Sequence, residues 1–256
     1  MAAHVVTLVN QKGGVGKTTT AVSLAAALGR KDQRVLLVDL DPQANATSAL
    51  GVDGGGLRGI YDALLDDAPL GECIVEVPEE HISLVPANRE LSGAEVELVP
   101  VMARERRLSN ALYPIRDKYD WVLIDCPPSL GLLTINALTA SESVVIPVQC
   151  EYMALEGLSR LVETLDLVRR NLNPALSVLG VVLTMFDGRT RLAQQVVDEV
   201  RTHFPQTFGT IIPRSVRLSE APSHGESIFR YDPGGRAATS YDALATELLA
   251  RVGVAV

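Results

Sequence analysis

The sequence predicts an α/β fold in which a mostly parallel, twisted β-sheet is covered by helices on both faces. Short apolar runs alternate with longer helical patterns along the 256-residue chain, and this alternation is typical of βαβ units. Apolar residues make up 47% of the chain and aromatic residues only 4%, so the core must consist mainly of Ala, Val, Leu and Ile. Strands that are buried on both faces of a parallel sheet have this composition.

Six runs are predicted as strands and five as helices. The predicted strands cover residues 4–10, 34–39, 82–86, 121–125, 143–148 and 178–184. The predicted helices cover residues 18–29, 102–118, 155–171, 192–204 and 237–251. No repeat, low-complexity tract or linker divides the chain, so residues 1–256 are predicted to form a single domain.

Charge and cysteine content narrow the class of protein. The formal net charge is −8, but residues 186–256 contain eight arginines and eight acidic residues, so a local basic face in the last third is compatible with the acidic total. Cys73, Cys126 and Cys150 are odd in number and show no CxxC spacing, which indicates reduced thiols in the cytoplasm. No signal peptide or membrane-spanning run is recognised.

A glycine-rich loop between the first predicted strand and the first predicted helix carries the main motif. Its residues are Lys12, Gly13, Gly14, Val15, Gly16, Lys17, Thr18 and Thr19. Glycines let the backbone N–H groups point at phosphate oxygens, and the helix N-terminus adds partial positive charge. Lys17 is expected to reach the β- and γ-phosphates of a nucleotide, and the Thr18 hydroxyl to bind Mg²⁺. The loop therefore predicts a nucleotide-binding P-loop.

The loop departs from the common GxxxxGK[ST] form at its start. Gln11 occupies the position of the usual first glycine, and Lys12 follows it. Lys12 has no evident role in its own site. From spacing alone, two interpretations stand equal: Lys12 is a solvated side chain, or it reaches the phosphates of a second nucleotide across a dimer.

The run KGGVGKTT resembles the deviant Walker A motif of the ParA/MinD family of P-loop ATPases. The segments PVQCEYMALEGL, LTMFDGRTRL, TIIPRSVRLSEAPSHG and YDPGGRAA are similar to the chromosomal Soj/ParA subgroup, and the resemblance covers nearly the whole chain. It implies that ATP and Mg²⁺ are the cofactors, that the ATP-bound form is a homodimer, and that Lys12 is the signature lysine that acts across the dimer.

Three aspartates follow predicted strands, where parallel sheets bind their ligands. Asp39 closes the second strand. Asp41 is either a turn cap before Pro42 or the group that orients a water molecule for attack; the resemblance to the family's switch I favours the second role. Asp125 ends the run WVLID and is predicted to be the Walker B acid that supports Mg²⁺ together with Thr18. The catalytic residues are thus predicted to be Lys12, Lys17 and Asp41.

Hydrolysis is expected to be slow in the monomer. One subunit holds Lys17 and the Mg²⁺ groups, but Lys12 completes a site only when a second subunit docks. In the family, the stimulating partner is a ParB-type protein with a basic N-terminal segment, and the acidic balance of this chain suits such a partner.

The arginines of the last third are candidates for binding DNA phosphates. Spacing alone favours solvated surface for such side chains. The resemblance implies that Arg189 and Arg217 contribute to non-specific binding of double-stranded DNA by the ATP dimer. It also places Pro213 and Arg214, after a short strand-like run, near the adenine.

The resulting expectation is a ParA-like ATPase for chromosome or plasmid segregation, cytoplasmic and associated with the nucleoid. One alternative is a MinD-like membrane-cycling regulator, but the tail at residues 249–256 has one charge and a glycine, unlike a basic amphipathic helix. A second alternative is a metabolic ATPase of the same fold. An operator-binding domain at the N-terminus is not expected. The replication initiator DnaA is a partner of close relatives, and the sequence neither supports nor excludes that role.

Overall fold

The computed structural model describes residues 3–151 and 154–254. Within them, one eight-stranded sheet has the strand order β3-β4-β2-β5-β1-β6-β7-β8. The strands are β1 His4–Leu8, β2 Val35–Asp39, β3 Val75–Val77, β4 Ile82–Val85, β5 Trp121–Asp125, β6 Ser143–Gln149, β7 Ser177–Phe186 and β8 Thr207–Pro213. Two residues of the PVQCEYMALEGL segment, Tyr152 and Met153, and the last two residues of the 249–256 tail lie outside the described residues.

Helices connect the strands on both faces of the sheet. They are α1 Lys17–Gly29, α2 Asn45–Ala49, α3 Ile60–Leu65, α4 Leu91–Glu97, α5 Arg107–Leu112, α6 Leu132–Ala140, α7 Ala154–Asn171, α8 Arg191–His203, α9 Arg217–Glu220, α10 Ile228–Tyr231 and α11 Arg236–Arg251. Short 3₁₀ turns lie at Leu70–Cys73, Pro78–Glu80, Arg104–Arg106, Arg116–Lys118 and Ala221–His224.

Strand β1 lies near the middle of the sheet, between β5 and β6. It pairs in parallel with both neighbours, and the only antiparallel pair among the described strands joins β3 to β4. The predicted α/β fold with a mostly parallel sheet is therefore confirmed. Because parallel strands end at the same edge, the loops after β1, β2 and β5 meet there, and this edge carries the candidate site.

Alternating side chains of the strands fill separate cores on the two faces. Val6 and Leu8 of β1 pack in the core beneath α1 and α11, whereas Val5 packs on the opposite face with α3–α6. A third cluster lies between β6, β7 and the helices α7 and α8. Trp121 is fully buried, and the remaining core consists largely of aliphatic side chains, as the composition predicts.

Two predicted features of the sequence differ from the structure. The six predicted strands end within two residues of the observed ones, but β3 and the full length of β8 were not predicted; both are edge strands. The predicted helix 102–118 is wrong, because only Arg107–Leu112 is α-helical within it. Ala103 has a left-handed backbone, with φ of 53°, and Pro114 has no N–H to continue the helix. The other four predicted helices agree within one residue.

Candidate nucleotide-binding site

The loop of residues 9–16 joins the end of β1 to the start of α1. Gly14 and Gly16 have positive φ angles of 74° and 86°, a conformation that glycine adopts without strain. Gly16 precedes α1 and offers no side chain to cap it. No internal partner is found for the N–H groups of residues 13–16 within the described part of the chain. The loop is therefore shaped to donate its N–H groups to an anion.

Two side chains that the sequence analysis did not single out fix the shape of this loop. Asn10 accepts a hydrogen bond from the N–H of Lys12 at 3.0 Å and donates its own amide to the carbonyl of Pro147 at 2.7 Å. The Thr184 hydroxyl, from β7, donates to the carbonyl of Val15 at 2.8 Å. The contacts of Asn10 with Pro147 and of Thr184 with Val15 join residues more than 100 positions apart, so no local pattern in the sequence predicts them.

Lys17 is buried at the start of α1, with 7% of its surface exposed. Its Nζ donates to the carbonyl of Lys12 at 3.2 Å, across the loop. Burial lowers the pKa of Lys17, and the nearby groups Asp125, Cys126 and Asp41 oppose that shift. A desolvated ammonium at this position is suited to bind phosphate, because a bound anion would restore the charge interactions that burial removed.

Lys12 points in a different direction from Lys17. Its Nζ forms an ion pair with Glu151 Oε2 at 3.0 Å, and 45% of its side chain is exposed. Glu151 follows β6, on the outer side of the loop. Lys12 thus contributes its backbone to the loop but not its ammonium, and an exposed ion pair of this kind is weak enough to exchange for another anion.

Asp125 is fully buried at the end of β5, and neither of its carboxylate oxygens has a hydrogen-bond partner of acceptable geometry. Burial raises the pKa of Asp125 well above its ordinary value; Asp39 and Asp41 add to this effect, while Thr18 and Lys17 oppose it. A buried carboxylate with no donor is costly unless a cation compensates it. Asp125 and Thr18 therefore fit a divalent cation that accompanies a nucleotide.

Asp39 supports the site without facing it. One oxygen accepts hydrogen bonds from the N–H and the hydroxyl of Thr47, at 2.8 and 2.7 Å, and the other accepts from the N–H of Asp41 at 3.2 Å. Burial is the main reason that the pKa of Asp39 rises to about 6. The side chain anchors the β2–α2 loop, as expected for a residue that closes the strand.

Asp41 lies close to Lys17 and Asp125, near enough to influence the pKa of both. Its Oδ1 accepts a hydrogen bond from the N–H of Gln43 at 3.0 Å, and its carbonyl accepts from the N–H of Ala44 at 2.8 Å. Asp41 therefore caps the turn, which is one of the two roles the sequence suggests. Its position beside the phosphate loop leaves the water-orienting role as a proposal.

Pro213 and Arg214 line a cavity of about 250 Å³ that also borders Gly16 and Thr19. Thr184, Met185 and Tyr241 form other parts of its wall. A cavity with apolar walls beside the start of α1 has the shape and position that a nucleotide base requires. The structure thus brings the sequence-predicted Pro213 and Arg214 next to the phosphate loop.

Arg189 and Arg217 are exposed beyond the ends of β7 and β8, and Arg189 lines a cavity together with Pro213 and Arg214. Arg189 binds Asp187 with two side-chain hydrogen bonds, at 2.9 and 2.6 Å, and the guanidinium holds the pKa of Asp187 down at about 2. Arg217 pairs with Glu220 Oε2 at 3.0 Å and lies over the Tyr231 ring. Each arginine is thus already paired with an acid on its own element or loop.

Two further kinds of site are absent from the described residues. No group of three or more His, Cys, Asp or Glu side chains is placed to hold a metal ion unaided. A Mg²⁺ ion that binds with a nucleotide, however, takes most of its ligands from phosphates and water. No helix in the described part of the chain is long and apolar enough to cross a membrane.

The structure combines a parallel sheet, a glycine loop that opens α1 and a buried aspartate at the end of a neighbouring strand. Together these features define a P-loop nucleotide-binding protein.

Residues 3–178 match the sequence profile of the AAA domain family. The chain is 55% identical to the sporulation initiation inhibitor protein Soj of Bacillus subtilis, over 96% of this chain and 98% of that protein. It is 54% identical to the chromosome partitioning protein ParA of Myxococcus xanthus, over 97% and 88%.

Among solved structures, cobyrinic acid a,c-diamide synthase of Mycobacterium smegmatis with a bound ATP analog and magnesium is similar, with a TM-score of 0.88. It is 37% identical, and the similarity covers 98% of this chain and 96% of that one. On the strength of the matched profile and the near full-length identity, the chain belongs to the Soj/ParA family of P-loop ATPases and is a ParA-like partitioning ATPase.

Proposed function

We propose that this protein is an ATP-driven DNA-segregation switch: a homodimer with ATP that binds DNA non-specifically and is released when a ParB-type partner stimulates hydrolysis. The observation that carries the proposal is that the side chains of the two loop lysines point in different directions. Lys17 is buried and turned into its own loop, whereas Lys12 points outward to the exposed Glu151. A lysine that leaves its own site is available to a second nucleotide across a symmetric dimer.

ATP with Mg²⁺ is the cofactor that the site fits. The loop of residues 12–19 would hold the phosphates, and the cavity at Pro213 and Arg214 would hold the base. Thr18 and Asp125 would hold the metal, for which the unpartnered carboxylate of Asp125 is the structural reason. When bound, Mg²⁺ neutralises charge on the β- and γ-phosphates.

The protein side chains supply the remaining chemistry. Lys17 binds the phosphates from within its own subunit and stabilises negative charge that develops there. Asp41 orients a water molecule toward the γ-phosphate once its loop adjusts around the nucleotide. Lys12 leaves Glu151 and reaches the phosphates held by the partner subunit. Because this last contact requires a dimer, basal turnover is slow and rises when a partner stabilises the assembled site.

DNA binding is assigned to Arg189 and Arg217. Phosphate contacts need arginines on one exposed face and no base-reading element, so binding should be indifferent to sequence and sensitive to salt. Both guanidinium groups must exchange an intramolecular acid for a phosphate, which favours modest affinity in each subunit. A dimer doubles the number of contacts and thereby couples DNA binding to ATP. Such a protein would reside in the cytoplasm on the nucleoid.

The experiment that tests this function is a titration of random-sequence duplex DNA at low and moderate salt, with ATP, with ADP and without nucleotide. Binding only with ATP, lost steeply as salt rises, supports the switch. Arg217→Glu should weaken this binding while the ATP dimer, measured by light scattering, stays intact. Arg201→Glu is the matched control, because Arg201 is also exposed but bonds only a carbonyl, that of Gly209.

Absence of DNA binding in every nucleotide state would contradict the proposal. Flotation with anionic liposomes would then test the membrane-cycling alternative, and turnover in the presence of candidate carboxylic acid substrates would test the metabolic one. The 50–54% identity to proteins named for chromosome partitioning, against 37% to a named metabolic enzyme, supports the segregation role.

A further inference from the structure

The loop between β5 and α6, residues 126–131, is held at its far end by a side chain from another helix. Glu95 of α4 accepts hydrogen bonds from the N–H groups of Leu132 and Leu133, at 2.7 and 3.4 Å. The residue before α6 is Gly131, which provides no side-chain cap. Glu95 therefore supplies the capping oxygens that the local sequence lacks, and its charge suits a helix N-terminus.

The contact between Glu95 and α6 is also close in space. A β-carbon on Gly131 would lie 2.2 Å from Glu95 Oε1, so a side chain at this position would displace the carboxylate. The backbone of Gly131, whose φ is −81°, does not itself require glycine, but a β-carbon there is compatible only with a shifted Glu95 carboxylate. Gly131 and the half-buried Glu95, 36 positions earlier in the chain, thus pack closely against each other.

The loop and the first turns of α6 are joined to each other and to the site. The Thr134 hydroxyl of α6 donates to the carbonyl of Ser129 at 2.6 Å. Asn136, fully buried, bonds the carbonyl of Arg104 and the N–H of Leu108. At its other end the loop follows Asp125, and the Pro128 side chain lies 4.0 Å from the β-carbon position of Gly13 in the phosphate loop. Movement of α6 at Glu95 would therefore reach the phosphate loop.

We propose that Glu95 is a positioning residue for ATP hydrolysis: by holding the N-terminus of α6 it sets the β5–α6 loop against the phosphate loop. Glu95 itself contacts neither Asp125 nor residues 12–19 in the described structure. Its loss should therefore lower turnover, which needs an accurately placed loop, more than nucleotide binding, which residues 12–19 provide. The inference rests on the ATPase activity and is independent of DNA or a partner protein.

The test compares Glu95→Ala, Glu95→Gln and the control Glu90→Ala in the full chain with Mg²⁺. Glu90 is exposed just before α4, and its side chain forms no hydrogen bond or ion pair within the described residues. We expect kcat for ATP to fall by on the order of tenfold in Glu95→Ala. The Kd for a fluorescent ATP analogue should stay within about twofold of wild type. Glu95→Gln, which keeps an acceptor but loses the charge, should lie between them, and Glu90→Ala should match wild type.

Equal turnover in Glu95→Ala and Glu90→Ala would overturn the proposal. A parallel loss of kcat and nucleotide affinity would also overturn it, because it would show that Glu95 serves folding alone. If Glu95→Ala fails to fold by circular dichroism, Glu95→Gln decides: unchanged kcat in that variant contradicts the role. An inactive wild type would instead count against the ATPase assignment, so the two failures are distinguishable.

Discussion

The two lysines of the phosphate loop lie five positions apart in sequence and have different surroundings in space. Burial lowers the pKa of Lys17, which marks a group that is stabilised when an anion arrives. Lys12 is solvated and ion-paired. The sequence motif alone left the role of Lys12 open between solvent and a second nucleotide, and the orientation of its side chain supports the second without testing it.

Replacement of Lys17 by alanine should abolish nucleotide binding. The substitution removes the only ammonium buried in the loop among the described residues, and charge-assisted bonds to phosphate contribute roughly 1.5–3 kcal/mol each. Isothermal titration with ATP and Mg²⁺ provides the measurement. Lys118→Ala is the control, because Lys118 is exposed and remote from the loop. Tight binding by Lys17→Ala would remove Lys17 from the site.

Asp125 sets up a conflict between stability and function. Because the pKa of Asp125 is higher in the folded chain than in the unfolded chain, folding favours its protonated form. The stability that this provides is fully present below the unfolded pKa of about 3.9 and is lost as pH rises through the folded pKa. At higher pH without a cation, burial of this group therefore opposes folding. Asp125→Asn should therefore raise the free energy of unfolding of the nucleotide-free protein by about 1 kcal/mol.

Thermal unfolding without nucleotide would measure the effect of Asp125 on stability, and thermal unfolding with ATP plus Mg²⁺ would measure its effect on binding. We expect the Tm of Asp125→Asn to rise by roughly 2–4 °C without nucleotide and to gain little from ATP and Mg²⁺. A lower Tm without nucleotide would show that Thr18 and Lys17 already compensate the carboxylate.

In the proposed function, Asp187 competes with DNA for Arg189. The two side chains form a bidentate pair at 2.9 and 2.6 Å, so Asp187→Asn should free the guanidinium and raise affinity for random-sequence DNA about threefold, as expected for an exposed pair. Asp198→Asn is the control for net charge, because Asp198 is exposed and its carboxylate, among the described residues, accepts from Gln194 and from no arginine or lysine. Fluorescence anisotropy with labelled duplex checks the prediction. Equal affinities in the two variants would place Arg189 away from the DNA.

At the scale of elements, the sequence predicts the strands and helices whose apolar residues recur with a regular local period. The six inner strands and four long helices follow from apolar patterns, but the helix predicted over 102–118 is broken at Ala103 and Pro114. The edge strand β3 has only three residues, too few for a pattern. The contacts of Asn10, Thr184 and Glu95 were not predictable, because each joins segments that only the fold brings together.

The packing of β7 against β8 and α11 depends on a glycine. A β-carbon on Gly180 would lie 2.3 Å from the Phe208 ring and 2.6 Å from the Arg251 guanidinium, which stack at 3.8 Å. Gly180→Ala should lower the free energy of unfolding by about 2 kcal/mol, as overpacked cores do.

Gly157→Ala in α7 is the matched control for this substitution, because a β-carbon there meets nothing within 4 Å. An alanine in a helix interior should raise stability by roughly 0.5–1 kcal/mol. Urea denaturation of both variants measures the difference. Equal stability of Gly180→Ala and wild type would mean that Phe208 and Arg251 have other places to pack.

At the scale of the whole molecule, the parallel sheet gathers the ends of β1, β2 and β5 at one edge. Lys17, Asp41 and Asp125 meet there, so one subunit provides most of a site. The arginines assigned to DNA, Arg189 and Arg217, follow β7 and β8 farther along the same edge. In the proposed function, dimerisation connects the two: it completes the nucleotide sites through Lys12 and doubles the DNA-binding face.

The most direct test of this account mixes two inactive variants, Lys12→Ala and Asp41→Ala, and measures ATP turnover. In a mixed dimer, the Lys12→Ala subunit keeps its own Lys17 and Asp41 and receives Lys12 from its partner, so one complete site forms. Random pairing at equal amounts makes about half of the dimers mixed, so we expect about a quarter of the wild-type rate. No recovery at any mixing ratio would contradict the account, because it would mean that Lys12 does not act across a dimer.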